Sequence, residues 1–374
     1  MSFKQIFSQD KAVGILQRAF AAEKVPHAYI FAGHEGVGKF TTARQWAKVL
    51  LCQNPVVEKN NSAEFANSCG ACESCMLFDA GSHPDFDLVY KELRPFTRDG
   101  KSKGPPVDLP IDVIREFVIE KVASKPTLSK RKIFIVSEAE KLNASSQNAL
   151  LKVLEEPPEY CCIILLCTRL EKLLPTTKSR CQIIRFSLIE ENRIIEKLSQ
   201  MGLDQKQAGL FARLAQGSIG LACQWAKLEL NDANLYQTKK KLLNSVAKLI
   251  LPDTLSLAQT FIDESKNLAD NWAKLDENTS NTDLKRRAAK TLVRIIISAL
   301  FDAMKLNYTA CEKLINIDQK EQMKKIAGRF SPEQSAAKIG DCCQALRWID
   351  DSVNQKLIFE HLLLNLAVSD RIKD

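Results

Sequence analysis

Apolar residues along the first half of the chain fall into short solid runs separated by stretches of helical spacing. "HAYIFAG" at 27–33 is an apolar run entering a Gly-rich turn, and it predicts a buried strand. "TTARQWAKVLLC" follows, with Ala43, Trp46, Ala47, Leu50 and Leu51 on one helical face. "KIFIV", "CIILLC" and "QIIRF" predict three more buried strands. Strands alternating with helices imply a largely parallel sheet covered by helices. After Phe186 the strand signals stop and helical periodicity takes over. Residues 188–228 predict a small helical unit broken at "QGSIG". From 229 onward, "LVRIIISALF" and "LIFEHLLLNLA" predict an all-helical region. The expected organisation is an α/β domain over 1–187, a small helical unit over 188–228 and an all-α region over 229–374.

Length agrees with that division, since 374 residues exceed one ordinary core. The longest apolar stretch, "LVRIIISALFDAM", is interrupted by Arg294 and Asp302 and reads as a buried helix, so no membrane span is expected. The opening "MSFKQIFSQDKAVG" lacks the apolar centre of a signal peptide, and a cytoplasmic location is expected. Twelve cysteines in such a chain are then buried small residues or metal ligands rather than disulfides. The net charge of +8 is compatible with an anionic partner such as nucleic acid and equally with ordinary solubility. The basic, Gly- and Pro-rich stretch at 91–110 predicts a surface loop, open to DNA phosphates or to solvent alone.

Candidate chemistry begins at "GHEGVGKFTTA". Gly33, Gly36, Gly38 and Lys39 lie between a predicted strand and a predicted helix, the context a phosphate-binding loop requires. Glycines let backbone N–H groups approach phosphates, and the lysine reaches the outer ones. The residue after the lysine normally supplies a hydroxyl to magnesium, but here it is Phe40. Thr41 and Thr42 point elsewhere on the helix. At the end of "KIFIV", the place of the metal-associated Asp holds Ser137, followed by Glu138 at the water-polarising position. Both protein groups that would hold Mg2+ are missing, which argues against hydrolysis and leaves ATP binding open.

Cys52 and the run "CGACESC" place Cys69, Cys72 and Cys75 two residues apart behind the end of a helix. Four thiolates would make a closed structural Zn2+ site, with His83 a weaker candidate for the fourth ligand. Without metal they would be surface thiols. "QNALLKVLEEPPE" is an amphipathic helix stopped by Pro157 and Pro158. "TTKSRC" precedes the last strand, and its Arg180 is either a surface charge or a group offered to a neighbour.

Together "VPHAYIFAGHEGVGK", "CGACESC", "GSHPDF", "SSQNALLKVLEEPPE" and "TTKSRC" resemble the clamp-loader branch of the AAA+ ATPases. The resemblance is strong over residues 1–187 and looser beyond. It implies an ATPase-like domain, a helical lid and a helical collar that joins subunits in a ring. It implies a role in loading the sliding clamp on primed DNA within the bacterial DNA polymerase III holoenzyme, beside tau/gamma and delta subunits. It also implies that Arg180 is an arginine finger entering a neighbour's ATP site. Phe40, Ser137 and Leu221, where a working lid offers an arginine, point to a non-hydrolysing subunit. The alternatives are an active tau/gamma-type ATPase, with magnesium held through water and Glu138, or a zinc-stapled DNA-binding protein outside the replisome.

Overall fold

Five short strands pair in parallel, and the three central ones are buried along their whole length. The computed structural model describes residues 3, 6–60, 63–98, 108–276, 279–308 and 314–368. In chain order, α1 (Asp10–Ala21) leads to β1 (Ala28–Ala32) and α2 (Lys39–Leu51). A hairpin follows, formed by β2 (Val56–Asn60) and β3 (Ala63–Asn67), then α3 (Glu73–Asp79) and β4 (Phe86–Val89). After it come α4 (Ile111–Ile114), a π-helical turn over Arg115–Ile119, α5 (Glu120–Val122), β5 (Lys132–Val136), α6 (Ala144–Glu155) and β6 (Cys161–Cys167). α7 (Pro175–Ser179) and β7 (Gln182–Arg185) complete the first unit.

The sheet order is β4-β5-β6-β1-β7, so the first strand lies inside the sheet, between the last two. Alternation along each strand splits the core into two layers. Tyr29, Phe31, Ile133, Ile135, Ile164 and Leu166 face α1 and α2 with Trp46. Ile30, Phe134, Val136, Ile163 and Leu165 face the other way, toward Val113, Val118, Leu150 and Leu154. Four of the five strands match the apolar runs in the sequence. The exceptions are β4, whose "FDLV" carries Asp87 at its centre, and the β2–β3 hairpin, which lies inside the cysteine insertion.

The chain divides into two units, Met1–Ile189 and Glu190–Asp374. Among its described residues the second holds helices and no strand: α8 (Glu191–Gln200), α9 (Gln205–Ala215), α10 (Ile219–Leu230), α11 (Leu235–Lys248), α12 (Thr254–Leu275), α13 (Asn281–Leu306), α14 (Lys320–Arg329), α15 (Pro332–Asp350) and α16 (Gln355–Ala367). The break at "QGSIG" is a tight turn, with Gln216 and Gly217 both at positive φ. α13 is the spine, packing on α12, α14 and α15. Trp225 Nε1 donates to Thr291 Oγ1 and ties α10 to α13. Asp302, polar within an apolar helix, is fully buried and accepts from the N–H groups of Ile315 and Asn316. Among the described residues no helix is long and apolar enough to cross a membrane. Of the basic stretch 91–110, residues 99–107 lie outside the described residues; Arg98 before them pairs with Glu120 at 2.7 Å.

Candidate functional site

The loop at 33–38 connects β1 to α2, as its pattern requires. Gly36 and Gly38 sit at φ 73° and 100°, where a Cβ is strained. Gly33 is needed for a different reason: a Cβ there would stand 2.7 Å from the Phe186 carbonyl oxygen. The loop's lysine does not extend outward. Lys39 Nζ donates to the carbonyls of Gly33 and His34, both at 2.6 Å, and the residue is only 8% exposed. Burial lowers its pKa, against the pull of Glu140 and Glu35. Phe40 is 40% exposed at the start of α2, in the position of the magnesium ligand. Thr42 Oγ1 is spent on the Gly38 carbonyl, and Thr41 faces solvent.

The acidic turn after β5 is more tightly engaged than its sequence suggests. Glu138 takes a left-handed backbone (φ 51°) and pairs with Lys141 at 2.5 Å and Lys91 at 3.5 Å. Two ammonium groups therefore hold the carboxylate in the water-polarising position. Glu140 accepts from Thr168 at the end of β6, through both its N–H (3.1 Å) and its hydroxyl (2.5 Å). In the second unit Leu221, in the first turn of α10, is buried and apolar.

Cys52, Cys69, Cys72 and Cys75 converge at the other end of α2, about 20 Å from the loop by helix rise. All four sulfurs lie within 4.8 Å of one another. Cys52 is 3.5 Å from Cys69 and 3.9 Å from Cys72, and Cys69 is 4.0 Å from Cys75. A tetrahedral ion with bonds near 2.3 Å separates its sulfurs by about 3.8 Å, so the donor set and spacing fit a closed metal site. Backbone N–H groups also point at the sulfurs: Cys69 donates to Cys52, Cys72 to Cys69 and Cys75 to Cys72. N–H bonds from Ala71 and Cys72 pull the Cys69 thiol down to about 6, favouring the thiolate a metal needs. Burial acts in the opposite direction on Cys52 and Cys75.

His83 is not part of this cluster. Its Nδ1 accepts from the Asp85 N–H at 3.0 Å, so Nε2 carries the proton toward Ser74 Oγ at 2.8 Å. Ser74 and Ser129 both donate to the Leu51 carbonyl, immediately before Cys52. The histidine thus braces the cysteine insertion from behind. Cys75→Ser is expected to abolish stoichiometric metal, and His83→Gln to retain it. Elemental analysis of the purified proteins decides, and loss of metal from the His83 variant would put the histidine among the ligands.

Beside His83, Asp85 is fully buried and accepts three backbone N–H bonds, from Thr127 (2.6 Å), Leu128 (2.8 Å) and Ser129 (2.8 Å). Burial opposes its charge, but these bonds and His83 outweigh it and leave the pKa below the ordinary value. Sequence reasoning passed over this residue, although "GSHPDF" contains it.

Arg180 caps α7 at the surface. Its Nη2 meets Glu155 Oε1 at 2.7 Å, and its Nη1 donates to the Thr176 carbonyl at 3.0 Å. The helix ending in "LEEPP" and the "SRC" triplet are therefore in contact. They are also pinned deeper by the buried Gln147. Its amide N donates to the Leu142 carbonyl, and its oxygen accepts from the Leu174 N–H.

Known proteins are similar to this chain over most of its length. A family model described as "DNA polymerase III, delta subunit" matches residues 8–190. The model for that subunit's C-terminal part matches 265–367. DNA polymerase III subunit delta' of Escherichia coli is 28% identical over 94% of this chain and 92% of its own. The delta' subunit of Pseudomonas aeruginosa is 36% identical over 41% of each chain. Subunit tau/gamma of Haemophilus influenzae is 29% identical over 67% of this chain, which spans only a third of that longer relative. With its parallel sheet, altered phosphate loop and helical second unit, the chain belongs to the DNA polymerase III delta-prime family, in the clamp-loader branch of the AAA+ proteins.

Proposed function

We propose that this chain is an accessory, non-hydrolysing subunit of a cytoplasmic bacterial clamp loader, helping place the sliding clamp on primed DNA. The carrying observation is the state of its own loop. Lys39 is bonded to the carbonyls of Gly33 and His34, with Phe40 where the magnesium ligand belongs. Phosphoryl transfer relies on a metal to neutralise developing charge; Phe40 offers it no ligand atom, and Ser137 offers no carboxylate. Glu138, the remaining acid, is occupied by Lys91 and Lys141, which weighs against an active ATPase working through that residue.

In this reading the partners are tau/gamma and delta subunits. α8–α10 form the lid and α11–α16 the collar. The four cysteines hold a structural Zn2+, which when bound closes the insertion between α2 and α3. Arg180, at the surface and held by Glu155 and Thr176, serves the ATP of a neighbouring subunit. The isolated chain is expected to show no DNA-stimulated ATP hydrolysis above background, and Lys39→Ala is expected to change nothing. A steady-state phosphate-release assay tests both, and turnover that disappears in the Lys39 variant would overturn the proposal.

A further inference from the structure

We propose that Glu155 is a positioning residue for Arg180: it fixes the guanidinium in the pose from which it meets a triphosphate on a neighbouring subunit. The inference rests on the reading of Arg180 as a finger acting in trans. It is carried by the 2.7 Å contact between Glu155 Oε1 and Arg180 Nη2. Glu155 is the last residue of α6, fixed there by the prolines that follow. Arg180 is the cap of α7. Gln147 binds these two elements together through Leu142, Lys172 and Leu174, so the carboxylate sits on a rigid support.

As an ion pair the contact contributes little to stability. The side chains are 34% and 48% exposed, and pairs so open to water add at most about 1 kcal/mol. Its geometry is more informative. Thr176 and Ser179 approach Nη1, Glu155 approaches Nη2, and Nε makes no hydrogen bond with the described residues. A guanidinium carries five N–H donors, so part of the fork is held while the rest remains available to a phosphate. An unsupported arginine would lose its rotamer freedom on meeting the nucleotide. Here that freedom is already spent before the neighbour docks. A finger built this way raises the rate at the neighbour's site without tightening ATP binding, because the loaded ground state does not need it.

The test is a double-mutant cycle in the loader reconstituted with its tau/gamma and delta subunits, read as kcat and KM for ATP. Glu155→Ala is expected to lower kcat at the served site by about three- to tenfold with KM unchanged. Glu155→Asp, which keeps the charge, is expected to recover part of the loss. In an Arg180→Ala background, Glu155→Ala is expected to have no further effect. An equal loss with and without Arg180 would show a merely structural role and overturn the proposal. So would full activity of Glu155→Ala in a loader that Arg180→Ala cripples. If Arg180→Ala itself leaves turnover intact, the trans-finger reading fails first, and the proposal fails with it.

Discussion

Replacing Arg180 by Ala in the assembled loader is expected to slow ATP hydrolysis at the site it serves by on the order of a thousandfold. A guanidinium acts where charge develops on the transferred phosphoryl group, inside a closed site where its field is little screened. Removing it cancels an interaction made chiefly in the transition state, so kcat should fall while nucleotide affinity barely moves. Folding should be unaffected, since among the described residues the guanidinium bonds Glu155, Thr176 and Ser179 at the surface, and its backbone N–H bonds remain in the variant. Single-turnover hydrolysis in loaders carrying the variant measures the effect. An unchanged rate at every site would exclude the trans role, and a lowered melting temperature would move the explanation to structure.

Asp85→Ala is expected to destabilise the first unit by about 3–5 kcal/mol, the largest stability effect anticipated here. The carboxylate anchors the N–H groups of Thr127, Leu128 and Ser129, and its own N–H binds His83. Truncation removes the buried acceptor and leaves those part-buried donors without a protein partner. The direction of the pH dependence follows from the shift. Because the folded pKa lies below the unfolded value of about 3.9, the stabilisation is fully present above that value. It is lost as pH falls from there through the folded pKa. Urea unfolding at neutral pH and across the acid range should show a normal protein with an acid-sensitive limb and a variant with a flatter one. A neutral-pH loss below 1 kcal/mol would mean the loop finds other acceptors.

Much of this was legible in the sequence because it lay in solid apolar runs or fixed spacings. "HAYIFAG", "KIFIV" and "CIILLC" announce central strands because both their faces are covered. The cysteines that converge in space are those that "CGACESC" and Cys52 marked. What stayed hidden depended on tertiary partners. β4 has a charged residue at its centre and sits at the sheet edge, so its pattern resembles a loop. His83 was a weaker candidate for the fourth ligand because histidines near cysteines often are ligands; the Asp85 N–H at its Nδ1 and Ser74 at its Nε2 show that it is occupied elsewhere. The direction of Lys39 could not be read from a motif, since the same spacing suits a lysine turned outward or inward. Nor could Glu155 be matched to Arg180 across 25 residues of chain without knowing that α6 and α7 lie together.

The close approach of Gly33 to Phe186 has a consequence for how such loops persist. The residue is excluded from carrying a side chain by the backbone leaving β7, not by any nucleotide. Gly36 and Gly38 are constrained by their own dihedral angles. A mutational scan of this protein selected for folding alone would therefore recover the glycine signature of a phosphate loop, with no nucleotide in the experiment. Positions that folding does not constrain, such as the exposed Phe40, would be free to wander in such a scan. The glycines of this loop record the geometry of a strand–helix junction, and the residues between them record what the junction is used for.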